Sequence, residues 1–251
     1  MSASVPPLLR CASRSDIGKV RVRNEDAVKT DVDHGWLILA DGMGGYEGGD
    51  VAAQLAVDVV DRCLQRDAIG LEDAGGMCRI ARRAAEDANA EIRRVGMLRP
   101  ELAGMGATLV LAVFLADALV CAHVGDSRLY VAGPDGLRLL TRDHTLLQER
   151  VDAGMMRPED ARRSRYRGML TRGLGVASLV EADIAVHPLG GAETVLLCSD
   201  GLTDMLDDGQ ICEILAGGGP LETLADRLVD AANAGGGRDN VSVILARREA
   251  A

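Results

Sequence analysis

The amino-acid sequence predicts an α+β fold in which helices cover a β-sandwich within one domain. Three observations lead to this prediction. Short apolar runs of strand length recur along the chain, two pairs of segments have helical character, and no internal repeat or long linker separates them. The chain has 251 residues, which is enough for a single domain with a sizeable core. Strands separated by so much sequence need helices to cover their outer faces.

The first part of the chain combines strands with one pair of helices. Apolar stripes at helical spacing predict helices over about 50–65 and 76–95. A glycine-rich segment, D-G-M-G-G-Y-E-G-G, joins the third strand to the first of these helices. The expected strands are 8–13, 27–32 and 36–40.

Residues 107–124 form an almost wholly apolar stretch that is long enough to span a bilayer. Asp117 lies near its middle, where a charge costs about 3 kcal/mol even on the mildest insertion scale. The flanks are β-branched and alternating, so we interpret the stretch as two buried strands joined by a tight turn at Ala116 and Asp117. We expect no membrane span.

The second part of the chain returns to strands and helices around a polar excursion. Residues 143–175 are polar and rich in arginine, with short helical signals at 144–153 and 158–161, and we call this segment the flap. Strands are expected at 128–132, 137–140, 182–187, 194–198 and 240–247, and helices at 209–215 and 221–233.

Composition excludes several classes of function. The net charge is −10 and only five residues are aromatic, so the basic groove and stacking platforms of a nucleic-acid binder are lacking. The six cysteines contain no C-x-x-C pair and lie in apolar stretches, which favours buried thiols over disulfides or zinc. The N-terminus does not resemble a secretory leader. We therefore expect a cytoplasmic protein that binds neither nucleic acid nor membrane.

Four aspartates share an unusual position beside predicted strands. Asp41 and Asp200 end apolar runs, Asp126 follows L-V-C-A-H-V-G, and Asp239 precedes the last strand. One such residue would be explained by a turn or a helix cap. Several in an acidic chain favour a divalent cation, and oxygen-only ligands favour Mg²⁺ or Mn²⁺ over zinc.

Other catalytic templates fail by position. The cysteine-phosphatase, Walker, serine-hydrolase-elbow and aspartyl-phosphate patterns each lack a required residue.

Seven motifs in order carry a resemblance to a known family. They are S-D-I-G-K-V-R-V-R-N-E-D, D-G-M-G-G-Y-E-G-G, G-M-G-A-T-L, H-V-G-D-S-R, D-H-T, C-S-D-G-L and G-G-G-R-D-N-V-S-V. Together they closely resemble the metal-dependent type 2C serine/threonine protein phosphatases (the PPM family), especially the compact bacterial members. The resemblance covers about residues 10–247. It implies a four-layer αββα sandwich: two antiparallel β-sheets packed together, flanked by helix pairs, with an inserted flap.

The resemblance also implies roles for individual residues. Asp41 would bridge two Mn²⁺ or Mg²⁺ ions, the Gly42 carbonyl would add a ligand, and a water held between the ions would attack phosphorus in line. Arg21 would bind the substrate phosphate. The remaining implied residues are Asp200 and Asp239 as metal ligands, Asp126 as the ligand of a weaker third ion, and Glu25 and Asp26 as acceptors that hold water.

Two positions depart from the family pattern. Eukaryotic members carry a histidine, a candidate general acid, where this chain has Met43, so water or another group would supply the leaving-group proton. Gly168 stands where some bacterial members offer a side-chain hydroxyl to the third ion. In this chain, binding of a third ion would therefore rely on Asp126 and water. The flap arginines 157, 162, 163, 165, 167 and 172 are consistent either with a solvated face or with a docking surface for acidic partners.

The expected function is that of a single-domain, monomeric phosphatase acting on phosphoserine and phosphothreonine in proteins. The setting implied by the resemblance is bacterial, opposite a serine/threonine kinase that is itself a partner. Two alternatives stay open: a non-catalytic binding module with the same fold, and a hydrolase of small phosphorylated metabolites. The complete set of implied ligands favours the enzyme over the binding module.

Overall fold

The structure is a computed structural model that describes residues 9–44, 48–71, 73–161, 164, 166–190 and 193–248. Within these residues the strands are β1 (Leu9–Asp16), β2 (Asp26–Asp31), β3 (Trp36–Met43), β4 (Gly106–Ala107), β5 (Leu109–Phe114), β6 (Ala118–Val124), β7 (Arg128–Gly133), β8 (Gly136–Leu139), β9 (Asp183–Pro188), β10 (Thr194–Cys198) and β11 (Val241–Arg248). The helices are α1 (Gly49–Asp67), α2 (Ala74–Leu98), α3 (Leu146–Asp152), α4 (Pro158–Ala161), α5 (Asp200–Thr203), α6 (Asp208–Ala216) and α7 (Leu221–Ala234), with a 3₁₀ turn at Pro100–Leu102.

The strands form two antiparallel sheets. The first sheet has the order β1-β11-β10-β7-β8, and the second has the order β2-β3-β5-β6-β9 with β4 beside β3. The last strand of the chain therefore pairs with the first, so that residues at the two ends of the sequence share one sheet.

Three apolar clusters show that the sheets and helices form four layers. One cluster, which includes Leu39, Val110 and Ile244, lies between the sheets. A second joins the second sheet to α1 and α2, and a third joins the first sheet to α6 and α7. Each sheet thus buries one face against the other sheet and the opposite face against helices. The predicted αββα sandwich is confirmed.

The elements agree closely with the sequence prediction. The apolar stretch 107–124 is indeed two strands, β5 and β6, with Ala116 and Asp117 in their turn. In the part of the chain that the structure describes, no helix is long and apolar enough to cross a membrane. The elements that we did not predict are β4, α5 and the 3₁₀ turn, each of which is too short to show a periodic pattern.

The flap is fastened to the core at both ends. The backbone amide of His144 donates to the Gly125 carbonyl, and Leu174 exchanges two backbone hydrogen bonds with Ala107. Thr145 caps α3 by accepting from the backbone amide of Gln148. Arginines 162, 163 and 165 lie outside the described residues.

Candidate metal centre

The carboxylates of Asp26 and Asp41 face each other across two neighbouring strands. Asp26 begins β2 and Asp41 lies near the end of β3, and the two residues are register partners in the second sheet. Like charges directly opposite in a sheet destabilise it unless something positive lies between them. The Oδ1 atom of Asp26 is buried and has no hydrogen-bond partner in the described structure. A buried oxygen of this kind is suited to bind a cation or to accept a hydrogen bond from water.

The backbone at Gly42 can only belong to glycine. A Cβ atom here would lie 2.0 Å from the carbonyl oxygen of Gly49 and 2.6 Å from that of Glu25. The Gly42 amide donates to the Glu25 carbonyl at 3.1 Å, and the Thr108 amide donates to the Asp41 carbonyl at 2.8 Å. Asp41 is therefore held from both sides by strand hydrogen bonds, while α1 begins close to its backbone.

One serine hydroxyl and one threonine hydroxyl hold the strands that carry the carboxylates together. Ser199 Oγ donates to Asp26 Oδ2 at 2.8 Å and accepts from the Ser242 amide, which links the two sheets. Thr108 Oγ1 accepts from the Asp41 amide at 2.9 Å and lies 2.7 Å from Ser127 Oγ.

Asp126 and Asp200 approach the centre from opposite sheets. Asp126 is buried in the loop after β6, where Gly125 takes a φ of 105°. Asp200 is the first residue of α5, directly after β10. Gly201 packs so closely on the Asn240 carbonyl that a Cβ atom would lie 1.9 Å from that oxygen.

Arg21 lies over this group of carboxylates on an exposed loop. Its Nη2 atom donates to Asp239 Oδ2 at 2.6 Å, and half of its side chain is exposed. Asn240 holds the loop in place: its side chain donates to the carbonyls of Ile17 and Arg23 and accepts from the Glu25 amide. One buried amide therefore fixes the position of Arg21, Glu25 and Asp239 together.

The carboxylates repel one another strongly enough to change their protonation. Burial, and then the charges of Asp26, Asp200, Asp126 and Asp239, raise the pKa of Asp41 well above its usual value. Burial and then Asp126, Asp204, Asp239 and Asp26 do the same to the pKa of Asp200.

The pKa values of three other acidic groups of the centre are raised as well. Burial raises the pKa of Asp26 to about 6, against hydrogen bonds from serines that lower it. Burial, Asp143 and Asp204 raise the pKa of Asp126 to about 7. Burial and Asp50 raise the pKa of Glu25. A divalent cation would remove this cost, because it favours the ionised form of each carboxylate.

The structure brings all eight predicted site residues together. Among the described residues, however, no three acidic, histidine or cysteine side chains already surround one point as a metal site would. The hydrogen bonds explain this, since Asp239 is held by Arg21 and Asp26 by Ser199. The oxygen-only donor set, the unpartnered Asp26 oxygen and the close backbone at Gly42 fit a hard divalent cation.

A cleft of about 300 Å³ runs from this centre to the flap. Asp126 and Asp200 line one side, and Arg167 and Gly168 line the other. Arg167 forms an ion pair with Asp204, so that the flap contacts the segment after α5. Two other flap arginines are paired as well, Arg157 with Asp160 and Arg172 with Asp183, while the Arg150 guanidinium lies over the Tyr166 ring. Gly168 has a φ of 69° and brings no side chain to the cleft.

Sequence reasoning missed several residues that shape the centre. Asn240 lies within the quoted G-G-G-R-D-N-V-S-V motif, and its position after Asp239 is the only signal that marks it. Ser199 directly precedes Asp200, and Asp204 lies four residues after it; these positions are likewise the only signal that marks them. Arg128 and Asp143 are partly buried, line the cleft and form an ion pair at 2.6 Å that joins two of the motifs.

Comparisons with known proteins agree with this geometry. The family model described as protein phosphatase 2C matches residues 19–239. The serine/threonine phosphatase Stp of Listeria monocytogenes is 37% identical over 239 residues, which are 94% of each chain. The crystal structure of Stp1 from Staphylococcus aureus has a TM-score of 0.93 at 30% identity, with 100% of this chain and 99% of that one covered.

A third relative is described with metal. It is the catalytic domain of the phosphatase PstP in complex with two manganese ions, with a TM-score of 0.84 at 36% identity and with 95% and 97% of the two chains covered. The family model spans residues 19–239, which include all eight predicted site residues, and the fold agrees with that of PstP. This chain belongs to the protein phosphatase 2C family.

Proposed function

We propose that this protein is a metal-dependent serine/threonine protein phosphatase with its active centre at the group of aspartates described above. The observation that carries the proposal is the proximity of Asp26, Asp41, Asp126, Asp200 and Asp239, where burial and then the neighbouring charges raise the pKa of Asp41 and Asp200. Such an arrangement is costly for folding and useful only with cations. The names of the curated relatives support the reaction type.

The residues that would hold two Mn²⁺ or Mg²⁺ ions are Asp41, the Gly42 carbonyl, Asp200 and Asp239. Asp126 would hold a weaker third ion, with water in place of a side chain from Gly168. When bound, such ions neutralise charge on a phosphate and acidify water for in-line attack. The manganese ions of the PstP structure support this assignment.

Arg21 binds the phosphate of the substrate in this proposal. The guanidinium offers paired donors that match phosphate oxygens, and half of the side chain is exposed at the mouth of the centre. Its bond to Asp239 places it beside a proposed metal ligand. Because Asn240 fixes the loop, the backbone that carries Arg21 needs little reorganisation when substrate binds, and only the guanidinium turns from Asp239 to the phosphate.

Glu25 and Asp26 accept hydrogen bonds from water in the centre. Asp26 Oδ1 is buried and accepts no hydrogen bond from the described residues, so it can accept one from water. Met43 occupies the position of the eukaryotic histidine and has no proton to give. The leaving serine or threonine oxygen therefore takes its proton from water.

A phosphothreonine peptide tests the function directly. We expect turnover with Mn²⁺, loss of turnover in EDTA, and a fall of about 10³-fold in Asp41→Asn and Asp200→Asn. Asp135→Asn, a charge change in the exposed β7–β8 turn, is the matched control and should keep full activity. A folded, manganese-loaded protein that binds the peptide without turnover would instead favour the binding module. Turnover of sugar phosphates alone would favour the metabolite hydrolase.

The finer parts of the proposal concern the setting of the enzyme. We propose that it acts as a monomer in the cytoplasm and opposes a serine/threonine kinase. All six cysteines are free thiols, in keeping with a reducing compartment. Light scattering that gives the mass of two chains would contradict the monomer. A kinase autophosphorylated on threonine is the substrate to try first, and failure to dephosphorylate it would contradict the pairing.

A further inference from the structure

The loop that carries Arg21 also carries two exposed apolar side chains. Val20 and Val22 are exposed by 65% and 91%, on either side of the arginine. Lys19 and Arg23 are exposed as well, and their side chains make no hydrogen bond or ion pair among the described residues. Residues 19–23 thus alternate basic and apolar side chains, and we call them the recognition strip.

The recognition strip is held rigidly. The Lys19 amide donates to the Gly237 carbonyl at 2.7 Å, and Asn240 fixes the carbonyls of Ile17 and Arg23. Gly18 packs so closely that a Cβ atom would lie 2.3 Å from the Asp239 carbonyl oxygen. The valines are therefore presented to solvent by a fixed backbone. A fixed loop that exposes apolar side chains is suited to binding, because little conformational entropy is lost when a partner covers it.

The position of the strip indicates what covers it. Neighbouring Cα atoms are about 3.8 Å apart, so Val20 and Val22 flank the side chain that we assign to phosphate binding. A peptide whose phosphate reaches Arg21 therefore has its neighbouring residues within reach of the exposed valines. The basic ends of the strip contrast with the net charge of −10 of the whole chain, and they complement acidic rather than basic partners.

We propose that the recognition strip selects phosphorylated segments that carry an apolar residue next to the phosphorylated residue and an acidic residue beyond it. The apolar side chain packs on Val22, and the acidic side chain pairs with Arg23 or Lys19. This inference rests on the proposed phosphatase function and adds the substrate sequences that the centre prefers.

The test compares four phosphothreonine peptides of equal length with p-nitrophenyl phosphate. Each peptide carries either leucine or serine on both sides of the phosphothreonine. Two residues beyond these positions, again on both sides, it carries either aspartate or lysine. The wild-type protein should hydrolyse the leucine–aspartate peptide with a kcat/KM about tenfold above that of the serine–lysine peptide. p-Nitrophenyl phosphate lacks these flanks and reports the centre alone.

Two variants separate the apolar and the charged contributions. Val22→Ser should remove the preference for leucine, about fivefold, and Arg23→Glu should reverse the preference for aspartate. Both should leave hydrolysis of p-nitrophenyl phosphate unchanged. Leu98→Ser, an exposed apolar change at the far end of α2, is the matched control and should keep both preferences.

Several outcomes would overturn the inference. Equal kcat/KM values for the four peptides with the wild-type protein would do so, as would preferences that persist unchanged in Val22→Ser and Arg23→Glu. If Val22→Ser and Arg23→Glu lost as much activity on p-nitrophenyl phosphate as on the peptides, these residues would support the centre rather than select peptides. Failure of the phosphatase function itself would look different, since the wild-type protein would then hydrolyse neither peptides nor p-nitrophenyl phosphate with Mn²⁺.

Discussion

Replacing Asp126 by asparagine is expected to stabilise the metal-free protein at pH 8. Asp126 is only 8% exposed, and burial with the charges of Asp143 and Asp204 raises its pKa to about 7. In the unfolded chain the same carboxyl has a pKa of about 4. The folded state therefore binds a proton more tightly than the unfolded state, and stability falls as the pH rises from about 4 to about 7.

The size of the effect follows from the pKa difference. Each unit corresponds to about 1.4 kcal/mol, so the ionised carboxylate costs up to about 4 kcal/mol at pH 8 and about 1.4 kcal/mol at pH 5. Asparagine carries no charge but keeps the shape. Allowing for imperfect hydrogen bonding of the new amide, we expect a gain of about 2 kcal/mol at pH 8, or about 5 °C in Tm for a domain of this size.

Thermal unfolding followed by circular dichroism in EDTA at low salt measures this gain. Asp126→Asn should unfold at higher temperature than the wild-type protein at pH 8, and the difference should shrink at pH 5. Asp135→Asn, in the exposed β7–β8 turn, controls for the loss of one negative charge and should show no gain at either pH. Equal Tm values for Asp126→Asn and the wild-type protein at pH 8 would show that the ionised Asp126 carboxylate does not destabilise the fold. A gain as large at pH 5 as at pH 8 would show that charge is not its origin.

Three further perturbations have definite outcomes. Arg21→Lys keeps the charge but loses the paired donors, so kcat/KM for a phosphopeptide should fall about tenfold in steady-state assays, and an unchanged value would argue against phosphate binding there. Gly42→Ala forces a Cβ atom to within 2.0 Å of the Gly49 carbonyl oxygen, so urea unfolding should show that the free energy of unfolding falls by about 3 kcal/mol. An unfolding midpoint equal to that of the wild-type protein would contradict the close packing. Asp143→Asn leaves the partly buried Arg128 guanidinium without its ionic partner, and the same assay should show a loss of about 2 kcal/mol. A neutral result would mean that water screens the pair.

The apolar runs and marked turns of the sequence predict helices that cover a β-sandwich, and the family resemblance adds the order of the four layers. β5 and β6 are the clearest case, since the single charge of Asp117 separates a stretch that otherwise resembles a membrane span. β4 and α5 could not be predicted, because two or four residues show no period. Their backbone positions depend on tertiary contacts, such as the bonds between Ala107 and Leu174.

The proposed site residues follow from the motifs, but their mutual electrostatics do not. Sequence order gives no reason for Asp26 and Asp41 to be register partners, or for Arg21 to bond to Asp239. These contacts depend on the pairing of β2 with β3 and on Asn240, which holds a loop more than two hundred residues away in sequence. The exposure of Val22 is likewise visible only once that loop is placed.

Calorimetric titration of the metal-free protein with Mn²⁺ shows whether the aspartates hold two divalent ions. We predict two ions bound per wild-type chain, with any third ion much weaker, and at most one in Asp41→Asn, because Asp41 is the proposed ligand of both. Asp135→Asn should bind as the wild-type chain does. Two ions bound with unchanged affinity in Asp41→Asn, or no binding to the folded wild-type protein, would contradict the account.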